Sequence, residues 1–333
     1  MAADTLREEK DEFQPMNDEI NEAIRSRLAE ARSVLVASHV RPDGDAVGSL
    51  LALGLALENA GKQVQMVLAD GVSGSFRHLE GSEKIKNRVD GTFDTFITVD
   101  CADYRRTGKP FESLSQPDIN IDHHITNEKF GKLNLIEGRE VATSAILTNH
   151  LPFWGFEITK PIAAALLTGI VTDTLGFRTS NVTPEAMRQT ASLMETGADM
   201  PDLYMRGLVR RSFAAARYWG AGLSRLERKD GMVWGKLTLD DRKVAGYSGN
   251  DDADLINVIS ALDGFKVGMI FVEQTKNRVK ISWRALEPGI DVSPIATRFG
   301  GGGHAAAAGA DVEGALEDVV TNAIASTKEM LRL

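Results

Sequence analysis

The segment SVLVAS (33–38), followed at once by HVRPDGDAVGS (39–49), decides the fold. Its first six residues form a short, β-branched and nearly continuous apolar run, which is typical of a strand buried on both faces of a parallel sheet. A helix is predicted to follow over 46–60. A buried strand, a polar turn and an apolar helix in this order indicate the first unit of an alternating α/β fold.

The same alternation continues on both sides of this segment. Further strands are predicted at 63–68, 95–99 and 118–121, and helices at 17–32, 143–154, 161–172 and 184–196. The pattern predicts an α/β fold with a mostly parallel sheet flanked by helices.

A second, smaller α/β domain is predicted in the C-terminal part. Strands are expected at 232–239, 266–274 and 278–284, with a closing helix at 313–331. The stretch before them looks helical, without an apolar strand, and contains a basic cluster of Arg206, Arg210 and Arg211. The predicted organisation is a flexible tail (1–16), a catalytic domain (17–197), a helical linker (198–226) and a substrate-binding domain (227–333).

The bulk properties restrict the classes of function. The 333 residues exceed one typical domain of ~100 to 200 residues. The formal charge of -9 argues against a broad basic surface for long duplex nucleic acid. Cys101 is the only cysteine, so an intrachain disulfide is excluded and a cytoplasmic location is expected. No apolar run approaches the ~20 residues of a membrane span, so a membrane partner is not expected.

Polar groups follow the first predicted strand. Pro42 and Gly44 favour a turn, so His39, Asp43 and Asp45 are expected to converge instead of pointing along a regular element. Each of these residues alone has an ordinary structural explanation, as a turn former or a packed histidine. A functional role for these residues is indicated only if other polar groups lie at the same edge of the sheet.

Three further segments end a predicted strand or helix with such groups: Asp100 after TFITV, Asp122-His123-His124 after DINI, and Asp173 after an apolar helix. Ligands bind outside the carboxyl ends of strands in open α/β sheets, so these segments are expected to meet. Carboxylates and imidazoles suit Mn²⁺ best, with Mg²⁺, Co²⁺ or Zn²⁺ as alternatives. Two divalent cations are expected, because four crowded aspartates would otherwise repel one another.

In combination, HVRPDGDAVGS, DCADYRRTG, IDHH and GIVTDTLGF resemble the motifs of the DHH phosphoesterases, in the family's order and approximate spacing. The resemblance covers nearly all of the chain from Val34 onward. It is greatest to the small bacterial members that degrade oligoribonucleotides and remove the 3′-phosphate of 3′-phosphoadenosine 5′-phosphate.

The resemblance implies a role for each residue of the site. His39, Asp43 and Asp100 would hold one metal ion, and Asp100 would be shared with the second. The second ion would be held by Asp45, Asp100, His123 and Asp173. The catalytic group would comprise Asp100, His124 facing the scissile phosphate, and the supporting residues Asp103 and Arg106.

The C-terminal half resembles the companion domain of this family. It contains GGGGH (300–304), which fits neither a P-loop nor a dinucleotide fingerprint, because the lysine and the strand-turn-helix context are absent. Glycines allow close backbone approach to a ligand, and free amides could form an anion nest. The substrate-binding residues implied are Arg284, Gly301, Gly302, Gly303 and His304. Trp283, on the opposite side of the strand from Arg284, is expected to pack in the core.

The function implied is two-metal hydrolysis of short oligoribonucleotides, including dinucleotides such as pApA or pGpG, and of 3′-phosphoadenosine 5′-phosphate. A cyclic dinucleotide phosphodiesterase is the main alternative. A manganese pyrophosphatase, a processive nuclease and a non-catalytic, metal-dependent nucleotide-binding protein are further ones. Short nucleotides are the expected partners. A homodimer is one possible assembly.

Overall fold

The computed structural model describes residues 18–332. The predicted flexible tail (1–16) and the first residue of the predicted first helix, Asn17, lie outside the described residues. The chain divides into two compact units, one that ends at Arg210 and one that begins at Arg211. This division falls inside the stretch predicted as a linker.

The first unit is built on a parallel sheet. Its strands are β1 (Ser33–Ala37), β2 (Gln63–Val67), β3 (Thr95–Val99), β4 (Ile119–Asp122) and β5 (Leu133–Ile136). They form a five-stranded sheet in the order β2-β1-β3-β4-β5, and every neighbouring pair is parallel. The predicted α/β fold is confirmed. The prediction missed β5, because LNLI is a short, mostly half-buried edge strand without a long apolar run.

Helices surround this sheet. They are α1 (Asp18–Glu30), α2 (Gly44–Asn59), α3 (Thr143–Phe153), α4 (Lys160–Asp173), α5 (Pro184–Glu195) and α6 (Met200–Tyr204), with 3₁₀ turns at Ser82–Lys84, Tyr104–Thr107 and Lys109–Phe111 and a π-helix at Met205–Val209. Helix α2 begins before the predicted position, because Asp43 caps it. Asp45 therefore lies in a regular first turn, and the expectation of an irregular turn was wrong for this residue.

Glycines let α2 and α4 pack closely. A Cβ at Gly48 would overlap the carbonyl oxygen of Ala165, and a Cβ at Gly44 would lie 2.7 Å from Cβ of Thr172. The start of α2 therefore meets the end of α4, which brings Asp45 beside the last turn of α4. Although both helices are largely buried and apolar, no helix within residues 18–332 is long and apolar enough to cross a bilayer.

The second unit has a mixed sheet. Its strands are β6 (Glu227–Lys229), β7 (Met232–Leu237), β8 (Val267–Thr275), β9 (Arg278–Ala285), β10 (Gly302–Gly303) and β11 (Ala307–Glu313). Their order is β10-β11-β9-β8-β7-β6, and β7–β8 is the parallel pair. The helices are α7 (Phe213–Leu223), α8 (Leu239–Ala245), α9 (Leu255–Ile259), α10 (Ser293–Arg298) and α11 (Leu316–Leu331). Trp283 is fully buried in this unit's core, as expected.

Candidate metal centre

The predicted metal ligands meet at the carboxyl edge of the parallel sheet. Within residues 18–332, three overlapping groups place one ligand atom of each member within 4.8 Å of the others. They are His39, Asp43 and Asp100; Asp45, His123 and Asp173; and Asp100, His123 and His124. All six predicted ligands are therefore brought together, and Asp100 belongs to two of the groups.

His39 is oriented toward two carboxylates. Its Nδ1 lies 2.9 Å from the backbone oxygen of Val40, and its Nε2 lies 3.4 Å from Oδ2 of Asp100 and 3.8 Å from Oδ2 of Asp43. Burial works against a charged ring, but Asp100 and Asp43 outweigh it and raise the pKa of His39. Its Nε2 is thus placed as a ligand atom between two anionic groups.

Asp43 uses one carboxylate oxygen to cap α2 and directs the other toward the metal site. Oδ1 accepts hydrogen bonds from the backbone amides of Asp45 (3.1 Å) and Ala46 (3.0 Å) and so caps α2. Oδ2 is the oxygen on the side of His39. Helix capping therefore fixes the carboxylate in the orientation that a metal ligand needs.

Asp45, in the first turn of α2, is buried, and its carboxylate faces the start of α3. Its two oxygens accept the backbone amides of Thr143 (2.6 Å) and Ser144 (2.9 Å), which are the first residues of α3. Burial first, and the negative charge of Asp100 second, raise the pKa of Asp45 to about 7. The two backbone amides stabilise a negative charge on Asp45. They do not fully compensate the cost of burying that charge, so the pKa stays raised.

Asp100 is the central carboxylate. It follows β3 with a left-handed backbone (φ 51), and its Oδ1 accepts a hydrogen bond from Oγ1 of Thr143 at 3.1 Å. Burial opposes its charge, but the neighbouring histidines, His39 foremost, outweigh burial and hold the pKa of Asp100 below its usual range. A left-handed conformation at an aspartate after a strand is uncommon and turns the side chain into the site.

His123 and Asp173 complete the second group. Nδ1 of His123 lies 3.3 Å from the backbone oxygen of Glu140, and Nε2 lies 3.6 Å from Oδ2 of Asp173 and 3.7 Å from Oδ1 of Asp100. Asp173 is the last residue of α4. Burial and the nearby carboxylates, Asp45 first among them, raise the pKa of Asp173 well above its usual value.

Asp122 positions the histidines beside it and was not assigned a role from the sequence. It is fully buried, and its Oδ1 lies 2.7 Å from Nδ1 of His124 and accepts the backbone amide of His123 at 2.9 Å. Its Oδ2 accepts Nδ2 of Asn127 at 2.6 Å. A carboxylate on one ring nitrogen directs the other nitrogen of His124 outward. Asp122 is part of the Asp-His-His motif, so the sequence contained a signal for its role. No sequence signal pointed to the contacts that the amides of Thr143 and Ser144 make with Asp45.

Asp103 and Arg106 lie at the margin of this centre. Asp103 caps the 3₁₀ turn after it and pairs with the exposed Arg105 at 2.6 Å. The backbone oxygen of Arg106 accepts the amide of Val40 at 2.6 Å, and its exposed guanidinium is close enough to work against the raised pKa of His39. Arg106 thus ties its loop to the loop of His39, and the catalytic roles of both residues stay predictions.

The predicted substrate-binding residues lie at one end of the second sheet. Arg284 pairs in register with Ala307 of β11, which is hydrogen-bonded to β10. Burial lowers the pKa of Arg284, and its Nη1 donates to the backbone oxygen of Trp283 at 3.0 Å. The sheet therefore brings Arg284 toward the segment of Gly302, Gly303 and His304.

The glycine run is not the anion nest that was expected. Gly302–Gly303 forms a strand, and the amides of Gly300, Gly301 and His304 donate to backbone oxygens at 2.9, 2.8 and 2.8 Å. These three amides are therefore not free for a ligand, because the end of α10 and the hairpin already satisfy them. The assignment of Gly301, Gly302, Gly303 and His304 to substrate stays a prediction.

Comparison with known proteins places the chain in a family. A family model described as the N-terminal domain of the DHH family matches residues 33–170, and one described as the DHHA1 domain matches residues 243–332. The bifunctional oligoribonuclease and PAP phosphatase NrnA of Thermus thermophilus is 35% identical over 286 residues, which cover 84% of each chain. The chain belongs to the DHH family.

Two more relatives of this DHH chain extend the comparison. The Mycoplasma genitalium protein of the same name is 25% identical, over 92% of this chain and 96% of that protein. The crystal structure of an exopolyphosphatase-related protein from Bacteroides fragilis superposes with a TM-score of 0.86 at 24% identity, covering 95% of this chain and 98% of that one. The structural match supports the fold of the DHH chain.

Proposed function

We propose that this chain hydrolyses short oligoribonucleotides, including dinucleotides such as pApA or pGpG, and removes the 3′-phosphate of 3′-phosphoadenosine 5′-phosphate. The reaction depends on two divalent cations, with Mn²⁺ as the first choice. The observation that carries the proposal is the convergence of His39, Asp43, Asp45, Asp100, His123 and Asp173 at one edge of the sheet. The names of the relatives supply the substrate class.

The donor set fits two cations. Four aspartates and two histidines lie together, and the pKa values of Asp45 and Asp173 are raised because burial and mutual repulsion are not offset by the protein alone. Divalent cations would remove that repulsion. His39, Asp43 and Asp100 would hold one, and Asp45, Asp100, His123 and Asp173 the other.

The chain's own groups then position the substrate. Bound divalent cations supply charge compensation to a phosphoryl group and acidify an attacking water. His124, held by Asp122 at 2.7 Å, presents its other ring nitrogen to a phosphoryl oxygen. Arg106 adds positive charge next to His39. Arg284, Gly301, Gly302, Gly303 and His304 would contact the substrate from the second unit.

The experiment is a product analysis of the purified protein with Mn²⁺. The substrates are oligoribonucleotides of two to twenty residues, 3′-phosphoadenosine 5′-phosphate, cyclic di-AMP and pyrophosphate. We expect release of mononucleotides from the shortest chains and of phosphate from 3′-phosphoadenosine 5′-phosphate. Turnover confined to cyclic di-AMP or to pyrophosphate would favour those alternatives, and no turnover of any substrate would favour a binding protein.

A further inference from the structure

Asn127 lies in the loop after β4, and its side chain reaches the residues beside the metal centre although it is not a predicted ligand. Its Nδ2 donates to Oδ2 of Asp122 at 2.6 Å and to the backbone oxygen of Cys101 at 3.1 Å. Cys101 directly follows Asp100, the ligand that two of the groups share. One amide nitrogen therefore contacts both the loop of Asp100 and the carboxylate that orients His124.

The neighbours of Asn127 allow only one orientation of its amide. Its Oδ1 accepts the backbone amide of Lys129 at 2.6 Å and Nδ2 of Asn120 at 3.1 Å. The carbonyl oxygen of Cys101 only accepts and the backbone amide of Lys129 only donates, so exchanging Oδ1 and Nδ2 would place like groups together. Contacts other than Asp122 itself therefore direct the Nδ2 hydrogens of Asn127 toward Asp122.

The groups that hold Asn127 begin in the buried part of the sheet. Asn120 on β4 and Thr98 on β3 are fully buried and lie opposite each other, and Oγ1 of Thr98 donates to Oδ1 of Asn120 at 3.1 Å. Residues two apart on a strand face the same side, so Asn120 and Asp122 share one face of β4. The side chain of Asn127 thus bridges two positions of a buried strand, which keeps it rigid.

These contacts fix the spacing between His124 and Asp100, whose Nδ1 and Oδ1 are 3.7 Å apart. Asp122 is fully buried, with Oδ1 at 2.7 Å from Nδ1 of His124 and Oδ2 on Asn127. Loss of the Asn127 donor would take a hydrogen bond from a buried carboxylate oxygen, which is costly. The carboxylate of Asp122 would then turn toward other donors, and His124 would lose its fixed orientation.

We propose that Asn127 is a positioning residue of the hydrolysis. It fixes the carboxylate of Asp122 and, through it, the ring of His124 relative to Asp100. This inference rests on the proposed function and deepens it, since His124 is the group proposed to face the scissile phosphate. Asn127 acts through Asp122 and not on the substrate, so its loss should reduce kcat and leave KM nearly unchanged.

The first test compares Asn127→Ala with Asn134→Ala. Asn134, on β5, is a matched control because it is also half-buried and holds the same loop, by accepting the amide of Gly131 at 2.9 Å and donating to its oxygen at 2.6 Å. In Asn127→Ala, kcat for pApA should fall about tenfold, with KM within about twofold of the wild-type value. In Asn134→Ala, kcat should stay within about twofold, whatever the fall in melting temperature. An unchanged kcat in Asn127→Ala, or equal losses in both variants, would overturn the proposal.

A double-mutant cycle tests whether Asn127 acts through Asp122. When Asp122→Asn is already present, Asn127→Ala should lower kcat by less than about twofold, because residues that act as one unit have non-additive effects. Asn127→Leu, which keeps the side-chain volume, takes the place of Asn127→Ala if the alanine variant does not fold. Losses that multiply in the double variant would show that Asn127 does not act through Asp122.

Crystal structures of the metal-free protein separate this proposal from the proposed function. Nδ1 of His124 should stay within hydrogen-bond distance of Asp122 in the wild type and in Asn134→Ala, and should move beyond about 3.5 Å in Asn127→Ala. This result needs no turnover. If the wild-type protein hydrolyses nothing but the bond depends on Asn127, the proposed function fails and the positioning of His124 stands. An unmoved His124 in Asn127→Ala would refute the positioning role.

Discussion

The metal centre and the glycine segment of the second unit differ in how their polar groups are held. At the metal centre several carboxylates and imidazoles are oriented by a second group, as Asp45 is by two backbone amides and His124 by Asp122. In the second unit Gly302, Gly303 and His304 are exposed, and their segment is a short hairpin. Several side chains of the metal centre are buried and oriented, so their positions indicate which ions and reactions the site supports. The exposed hairpin shows only that a ligand can reach it.

The largest effect should follow from the loss of a metal ligand that also caps a helix. In Asp43→Ala the centre loses a carboxylate, and we expect turnover with Mn²⁺ to fall about a thousandfold or more. The loss of the α2 cap should cost about 1 kcal/mol of unfolding free energy. Steady-state kinetics and thermal unfolding measure the two effects.

Two variants separate these effects. Asp43→Asn keeps an N-cap acceptor but removes the charge, so it should lose turnover with little loss of stability. Thr183→Ala removes the cap of α5, where the hydroxyl accepts the amide of Ala186 at 3.2 Å, and should lose stability with little loss of turnover. Wild-type turnover by Asp43→Ala would contradict the metal assignment and remove the contrast between the two regions.

A smaller effect is expected at Asp122, which touches the histidines but is not a predicted ligand. Asp122→Asn should reduce kcat or the affinity for Mn²⁺ about 10- to 100-fold, as is typical for a carboxylate that orients a functional histidine. Asp118→Asn is the control, because Asp118 precedes the other end of β4 and binds the amide of Phe96 at 2.9 Å. If both variants behaved alike, Asp122 would be only a structural residue.

Packing at glycines provides the next test. In Gly169→Ala the new Cβ would lie 2.6 Å from Oδ1 of Asp45 and would overlap Oγ of Ser144, so we expect a loss of about 1 to 3 kcal/mol of unfolding free energy and weaker Mn²⁺ binding. Gly220→Ala in α7 meets nothing within 4 Å and should stabilise by about 0.5 to 1 kcal/mol. Chemical unfolding measures both. A neutral Gly169→Ala would show that Asp45 is held less tightly than its contacts indicate.

The smallest effect should come from the second unit. Arg284→Lys keeps the charge but loses the planar fork, and we expect KM for pApA to rise about tenfold with a smaller change in kcat. Arg278→Ala, at the exposed start of the same strand, is the control. An unchanged KM for Arg284→Lys and Arg284→Gln would remove Arg284 from the substrate site.

The sequence predicted the elements whose residues carry a local signal. The apolar run of β3 gave its bounds, and the polar residues after the strands gave the six candidate ligands. It could not predict that the amides of Thr143 and Ser144 bind Asp45, because that contact joins residues about a hundred positions apart. It also took the glycine run for a loop, since the pairing of Gly302 and Gly303 with β11 depends on the sheet beside them.

The most direct test of the central claim is anomalous diffraction from crystals of this protein soaked in Mn²⁺. We predict two manganese peaks at the carboxyl edge of the parallel sheet. One should be bound by His39, Asp43 and Asp100, and the other by Asp45, Asp100, His123 and Asp173. No peak among these side chains, or manganese bound elsewhere while they stay empty, would contradict the account.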